Sequence, residues 1–346
     1  MASVRILTQG TIHCFPPGLK DDDGKTVNAE ISAVAYDGER LLMASDKPIP
    51  GADRSAVFAL PLDANGPDDT RLQYLTTSRI KDAVKYEDFA LTTDGRHMIA
   101  TTGFDRIDDQ THELNAYNHL LIWPLGEPEK VQVVDPDPRD GVEGSLEFRR
   151  KMDAAVGKPY YKIEGLAAVP SSKGDGLLLF GIREQGQAHD DFEYVRRVIG
   201  AHFIINDADN LEFVDQLHDV FNFDPGAHAG VNHECGLSSL EYDPYHARIY
   251  LLTSFETEHD GKETIGGYLW VMSLEDFHEG RTPTLVTQEN GDVLEFEHKA
   301  EGLAVLDRER LFVAYDNDRN FELGSVDERD ERRACEAPYT ILGLVQ

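Results

Sequence analysis

Three cysteines in 346 residues, Cys14, Cys235 and Cys335, stand far apart and form no CxxC pair. That excludes a disulfide framework, supplies no zinc spacing, and points to a reducing compartment. The sequence also has no run of 18 apolar residues, and MASVRILTQGTIH lacks a basic segment followed by an apolar one. A cytoplasmic protein that engages no membrane is expected. Positive charge is scarce: 33 Lys and Arg face 64 Asp and Glu, a formal net charge of −31. Such a field repels phosphate backbones and anionic lipid, so a nucleic-acid partner is excluded; a solvated acidic surface and a protein that captures cations both fit it.

Other chemistries are missing too. No Gly-rich phosphate cradle occurs. GLSSL looks like a nucleophile elbow, but its second Gly is absent and a strand pattern follows where a helix is needed. DDDG at Asp21–Gly24 lacks the rest of a calcium loop and reads as a solvated turn. His228, His233 and Cys235 have metal-binding composition without zinc spacing, which suits structural positions or the rim of a channel.

What is present is a large core and a repeat. Hydrophobic residues make up 40% of the chain, with 13 Tyr and 16 Phe, enough to bury one extensive all-β core. A pattern of period-two alternation, a turn and a nearly continuous apolar run recurs at Ser32, Glu87, Glu164, Ser238 and Glu301, at spacings of 55, 77, 74 and 63 residues. Each copy predicts a β-hairpin buried on both faces. Two further strand-like runs follow each hairpin, such as SAVFALPL and LQYLTT, or YLWVMSL and PTLVTQ. Four strands per repeat make a propeller blade.

The fold class expected is therefore all-β, a five-bladed β-propeller forming a single domain over residues 1–346. The fifth copy is short of one strand, which the N-terminal segment 3–12 can supply, closing the ring and removing its free edges. Trp123 and Trp270 fall on third strands and read as blade core. The helical insert SLEFRRKMDAAVG, Ser145–Gly157, reads as a surface excursion.

The first strand of each blade lines the channel, so Ser32, Glu87, Glu164, Ser238 and Glu301 are expected round the axis at one end. Asp46, Asp105, Arg183, Glu184, Glu256 and Asp316 are expected about them. Three carboxylates converging in a narrow channel repel by several kcal/mol per close pair and need protons or a cation. Calcium, with six to eight oxygen ligands in a forgiving geometry, suits a Glu and Ser ring better than magnesium or zinc does. The competing reading is ionic: Lys85, Lys162 and Lys299 each precede a ring Glu by two residues and share its strand face.

The contexts AEISAV, KYEDFAL, KIEGLAAV, CGLSSLEY and KAEGLAV resemble those of the calcium-activated nucleotidases, or soluble apyrases. That family consists of five-bladed propellers with one central calcium. GIREQGQAHDDFEYVRRVIGAHFII resembles the family's third blade. The resemblance implies that Ser32, Glu87, Glu164, Ser238 and Glu301 carry one Ca2+ and that a nucleoside di- or triphosphate is hydrolysed. It further implies that Arg183, beside Glu184 and backed by Arg196 and Arg197, clamps a small phosphorylated substrate. Asp46, Asp105 or Asp316 would then serve as general base. EGLA and FGIRE also resemble phytase-like esterase propellers and bacterial propellers of unassigned function. A metal-dependent lactonase or esterase, and a non-catalytic calcium-stabilised propeller that binds protein or carbohydrate, are the alternatives. The segment KDDDGKTVNAEIS departs most from the nucleotidase pattern, and the family is typically secreted or lumenal.

Overall fold

Period-two alternation within a continuous apolar run sends neighbouring residues to opposite faces of a sheet, and both faces find a partner here. In the third hairpin Leu178 and Phe180 join a cluster with Ile99, Leu120 and Ile122 of the second blade. Leu177 and Leu179 join Leu237 and Leu251 of the fourth blade. The computed structural model describes residues 3–64, 66–107, 114–137, 142–259, 262–316 and 333–345.

Five antiparallel sheets surround the axis, with inner strands Ile31–Tyr36, Tyr86–Leu91, Tyr160–Val169, Gly236–Asp243 and Ala300–Val305. A separate apolar cluster fills each gap between blades, five in all. The last joins Phe312 and Ile341 of the fifth blade to Ile31, Val34 and Met43 of the first. The chain is a closed five-bladed propeller. Ser3–His13 supplies the fourth strand of the fifth blade, antiparallel to Glu336–Val345 from Ser3 opposite Val345 to His13 opposite Glu336. Trp123 and Trp270 are buried on third strands.

The insert forms a helix, Leu146–Val156, that stops at Gly157, whose φ of 69° is a left-handed C-terminal turn. It is more than a surface excursion. Phe148, Met152 and Val156, spaced at helical intervals, are buried in the cluster between the second and third blades. From the same helix Arg149, 4% exposed, donates to the Phe104 carbonyl at 2.7 Å and to Asn118 Oδ1 at 2.5 Å.

At one level of the ring, each inner strand skips one residue in its pairing with the second strand. The ladder steps from Ile31 to Ala33, Tyr86 to Asp88, Ile163 to Gly165, Leu237 to Ser239 and Ala300 to Gly302. The five bulged residues are Ser32, Glu87, Glu164, Ser238 and Glu301. A bulge breaks strict alternation and re-aims the extra side chain, which frees these five from the sheet faces.

One residue further on, the second blade carries Asp88, fully buried. Its Oδ2 accepts the Leu166 N–H of blade three at 2.8 Å, and the Ser239 hydroxyl and Leu240 N–H of blade four at 3.1 and 3.3 Å. Oδ1 accepts the Phe89 N–H at 2.9 Å. Blades two and four are not neighbours, so this carboxylate reaches across the axis. Asp88→Ala should leave these donors without partners and destabilise the fold by about 3 kcal/mol or more, with a smaller loss for Asp88→Asn. Urea unfolding measures it, and a loss below about 1 kcal/mol in the alanine variant would contradict the assigned role.

Candidate functional site

The five bulged residues lie at the channel end reached by the second strands of the hairpins. The two serines face neighbouring inner strands: Ser32 donates to the Tyr86 carbonyl at 2.5 Å and Ser238 to the Ala300 carbonyl at 2.9 Å. They tie blade one to two and blade four to five.

The three glutamates meet cations from the protein itself. Glu164 contacts the Lys162 ammonium and lies 3.1 Å from Arg183 Nη1. Glu87 Oε1 is 3.3 Å from Lys162 and 3.9 Å from Lys85. Lys299 stands 2.8 Å from Glu301 and 2.7 Å from Glu256. The ring glutamates are thus held by ammonium and guanidinium groups, as the lysine spacing allows. Burial pushes Glu87 and Glu301 above the usual carboxylate range despite Lys162 and Lys299. In Glu164 the same burial is outweighed by Arg183 and Lys162, which hold it below that range.

Two positions before the ring residue, blades two, three and five carry Lys85, Lys162 and Lys299 and blade four carries Gly236, whereas blade one carries Glu30. The Asp46 N–H closes on the Glu30 carbonyl at 2.8 Å, as the Asp316 N–H closes on Lys299 at 3.0 Å. Asp46 and Asp316 are therefore equivalent positions in adjacent blades, one and five. A ligand oxygen from each of Glu30, Asp46 and Asp316 lies within 4.8 Å of the others, and all three residues are buried. Lys47 Nζ bridges Glu30 Oε2 and Asp46 Oδ2, at 2.9 Å from each, but its side chain is 47% exposed. Burial pushes Asp316 well above the usual range, and Glu301, Asp46 and Glu30 add to the rise against Lys299.

This trio fits a hard divalent cation. Calcium–oxygen bonds run about 2.3–2.6 Å, so oxygens up to about 5 Å apart can share one ion, and three carboxylates offer several oxygens. A divalent charge would also relieve Asp316. Glu30 was not among the candidates read from sequence. Its signal is a carboxylate at the position where the three glutamate-bearing blades carry lysine.

The arginines expected to clamp phosphate are otherwise engaged. Arg183, 2% exposed, donates to Ser254 Oγ at 2.5 Å and stacks 5.1 Å over Tyr194. Arg196 donates to the carbonyls of Tyr194 and Cys235 at 3.1 and 3.2 Å. Arg197 donates to those of Ala155 and Val156, each at 2.9 Å, and contacts Asp219. Glu184 accepts the Tyr160 hydroxyl at 2.6 Å. These four build the wall of blade three. Arg183 is buried and the other three half-buried because the second and third strands of that blade, Gly176–Ala188 and Asp191–Ile205, extend well past the hairpin core. His233 stacks on Phe255 with ring centroids 4.1 Å apart, and His228 packs edge-on to Trp270.

Asp105 is placed differently. Lys85 Nζ holds its Oδ2 at 2.7 Å, while the buried Oδ1 has no hydrogen-bond donor among the described residues. Burial raises this carboxyl, but the Lys85 charge and hydrogen bond outweigh it and keep the group below the usual range. Asp105 lines a 500 Å³ cavity with Arg106, Tyr160 and His189. The backbone beside it is strained: Lys85 and Phe104 take φ of 65° and 53°, unusual for such residues, and Arg149 holds the Phe104 carbonyl. Gly103 lies between the two carboxylates. A Cβ there would come within 3.1 Å of Glu87 Oε1, so a larger residue would crowd the mouth.

No family model matches the chain. Two UDP-N-acetylmuramoylalanine–D-glutamate ligases, from Lacticaseibacillus casei and Lacticaseibacillus paracasei, are each 24% identical to it over 205 residues, which is 54% of this chain and 44% of theirs. The chain thus spans less than half the length of the curated relatives it matches. Among solved structures it is similar to Pseudomonas fluorescens PhoX in complex with vanadate, with a TM-score of 0.40 at 9% identity, covering 99% of this chain and 96% of that one. It is likewise similar to a Xanthomonas campestris gluconolactonase, with a TM-score of 0.37 at 12% identity and full coverage of both. A Streptomyces coelicolor aldose sugar dehydrogenase in PQQ-bound form gives 0.37 at 13%, covering 100% of this chain and 99% of that one. Likenesses this distant carry no argument about activity.

The raised carboxyls set a pH dependence. Glu87, Glu301 and Asp316 bind protons in the folded chain at pH values where the unfolded chain has released them. Stability in chelator should therefore fall as pH rises above about 4.5 toward their folded values. Glu164 and Asp105, shifted down, act below that window. Millimolar calcium should raise the melting temperature at pH 8 more than at pH 5.5, and Asp316→Asn should reduce the difference. Equal calcium effects at both pH values in a melting series would contradict this account.

Proposed function

We propose that the protein is a hydrolase that depends on a hard divalent cation, calcium foremost, held at the channel mouth by Glu30, Asp46 and Asp316. Its substrate is an uncharged ester or lactone. The observation that carries this reading is the convergence of three buried carboxylates, Glu30, Asp46 and Asp316; Lys47, which pairs with the first two, has a side chain 47% exposed. Bound there, such an ion supplies Lewis-acid polarisation of a carbonyl oxygen and a more acidic water.

The protein's own residues supply the rest. Asp105, kept ionised by Lys85, lines the adjoining cavity, and its carboxylate would accept a proton from a water or hydroxyl bound there. Arg149 fixes the Phe104 carbonyl and with it the Asp105 backbone. Tyr160 offers an aromatic face on one side of the same cavity.

Two features favour an ester over a phosphate. Arg183, Arg196 and Arg197 are engaged by protein acceptors, and phosphate chemistry needs a charge clamp. Round the mouth Glu30, Asp46, Glu87, Asp105, Glu164, Glu256, Glu301 and Asp316 outnumber Lys47, Lys85, Lys162, Lys299 and Arg183, which disfavours a polyanion.

Hydrolysis of δ-lactones and aryl esters, compared with ADP and aryl phosphates in calcium and in chelator, tests the reading. Calcium-dependent ester turnover should fall about 100-fold or more in Asp105→Asn and in Asp46→Asn. Turnover of phosphates but not esters would overturn the substrate class. Calcium-induced stabilisation without turnover of either would leave a binding propeller.

A further inference from the structure

At the opposite end of the channel the inner strands part after Tyr36, Leu91, Val169, Asp243 and Val305, and a cavity of 240 Å³ opens between them. The Asp88 carboxylate, with its donors in blades three and four, stands between this end and the acidic mouth. The sixteen residues lining the cavity include the carboxylates Asp37 and Glu241 and the tyrosines Tyr36, Tyr242 and Tyr245. They include no lysine, arginine or histidine.

Asp37 is spent on its own turn: it accepts the N–H groups of Glu39 and Arg40 at 2.9 and 2.6 Å and pairs with the Arg40 side chain. Glu241 meets backbone donors alone, the N–H groups of Val305, at 3.1 Å, and of Tyr242, and has no ion-pair partner among the described residues. At the other mouth, by contrast, buried glutamates meet ammonium or guanidinium groups. Burial drives Glu241 up to about 8, with Asp243 adding to the rise.

We propose that this cavity binds a small organic cation, a substituted ammonium, whose charge is met by the Glu241 carboxylate and the faces of Tyr36, Tyr242 and Tyr245. An aromatic wall beside a desolvated carboxylate is the environment that such a cation prefers. Tyr245, 43% exposed at the rim, already takes a cation on its ring: the Arg308 guanidinium lies 5.5 Å from the centroid. A polyol is a poorer fit, because the nearby hydroxyls are engaged, Thr92 with Asp94 and Thr93 with the Asp175 carbonyl.

Cation binding requires Glu241 to ionise, so a proton leaves for the buffer as the ligand enters. The cationic groups nearest the site are committed elsewhere: Arg308 lies over the Tyr245 ring, and Arg40 and Arg310 pair with Asp37 and Asp307. On its own strand the groups facing Glu241 are Tyr242 and Asp243, the latter held by the N–H groups of Tyr245 and His246 and by the His246 ring. Blade five presents the Val305 N–H, blade one Tyr36 and Asp37, and the following turn Tyr245. The site is separate from the acidic mouth, so it stands or falls independently of the hydrolase reading.

Calorimetry of choline chloride with the full chain, in two buffers of different ionisation enthalpy near neutral pH, tests the proposal. Choline should bind with release of close to one proton, and its affinity should drop about tenfold per pH unit below 8. Chelator and calcium should give the same result. Glu241→Gln should abolish proton release and weaken binding at least tenfold, whereas Tyr245→Ala should weaken binding and keep the proton release. The uncharged isostere, with carbon in place of nitrogen, should bind at least tenfold more weakly. Absence of choline binding, binding without proton release, or equal affinity for the isostere would overturn the proposal.

Discussion

Carboxylates crowded round a narrow axis must each be neutralised, and the way each is neutralised decides what the two ends of this channel can do. An ionised group held in low dielectric without a partner costs several kcal/mol. Three ring positions carry glutamate, and each glutamate meets a lysine placed two residues earlier in the sequence. In blade one that position is Glu30, so a carboxylate replaces the lysine of blades two, three and five, and Lys47 bridges it to Asp46. Asp46 and Asp316 add their charge at the same place. The acidic trio arises where Glu30 and Asp46 of blade one meet Asp316 of blade five, at the seam of the ring.

The seam also closes the fold. Ser3–His13 pairs with Glu336–Val345, bringing both ends of the sequence into the fifth blade, and the cluster between blades five and one seals it. Across the axis the Asp88 carboxylate binds donors in blades three and four. The bulge level is thereby held from the rim by the terminal strands and from the centre by one side chain. That rigidity lets strained residues such as Lys85 and Phe104 persist beside Asp105.

Much of this architecture is legible in the sequence because propeller repeats write their burial as period-two alternation. The five hairpins, the completing N-terminal strand and the buried tryptophans follow from that pattern. The ring residues are legible as repeat positions, since each opens its copy of the pattern. What they touch is harder to read. Whether a lysine two residues away reaches its glutamate depends on a bulge that shifts register by one, and no propensity marks a bulge at Glu87 or Ser238. The arginines of blade three read as a phosphate clamp, but on the overlong strands Gly176–Ala188 and Asp191–Ile205 Arg196 and Arg197 reach backbone carbonyls and Arg183 reaches Ser254 and Glu164. The helix Leu146–Val156 hides its burial because only Phe148, Met152 and Val156 mark its apolar stripe. Glu30 becomes visible only when the copies are aligned on their bulges.

The central claim is that the cation belongs to the seam between blades one and five and not to the axial ring. A crystal structure with bound calcium at neutral pH, with the ion located by its anomalous signal, tests it most directly. The account predicts a single strong peak among Glu30, Asp46 and Asp316, with Lys47 turned out to solvent and Lys162 and Lys299 unmoved. A peak on the axis among Ser32, Glu87, Glu164, Ser238 and Glu301, or no peak at either position, would contradict it.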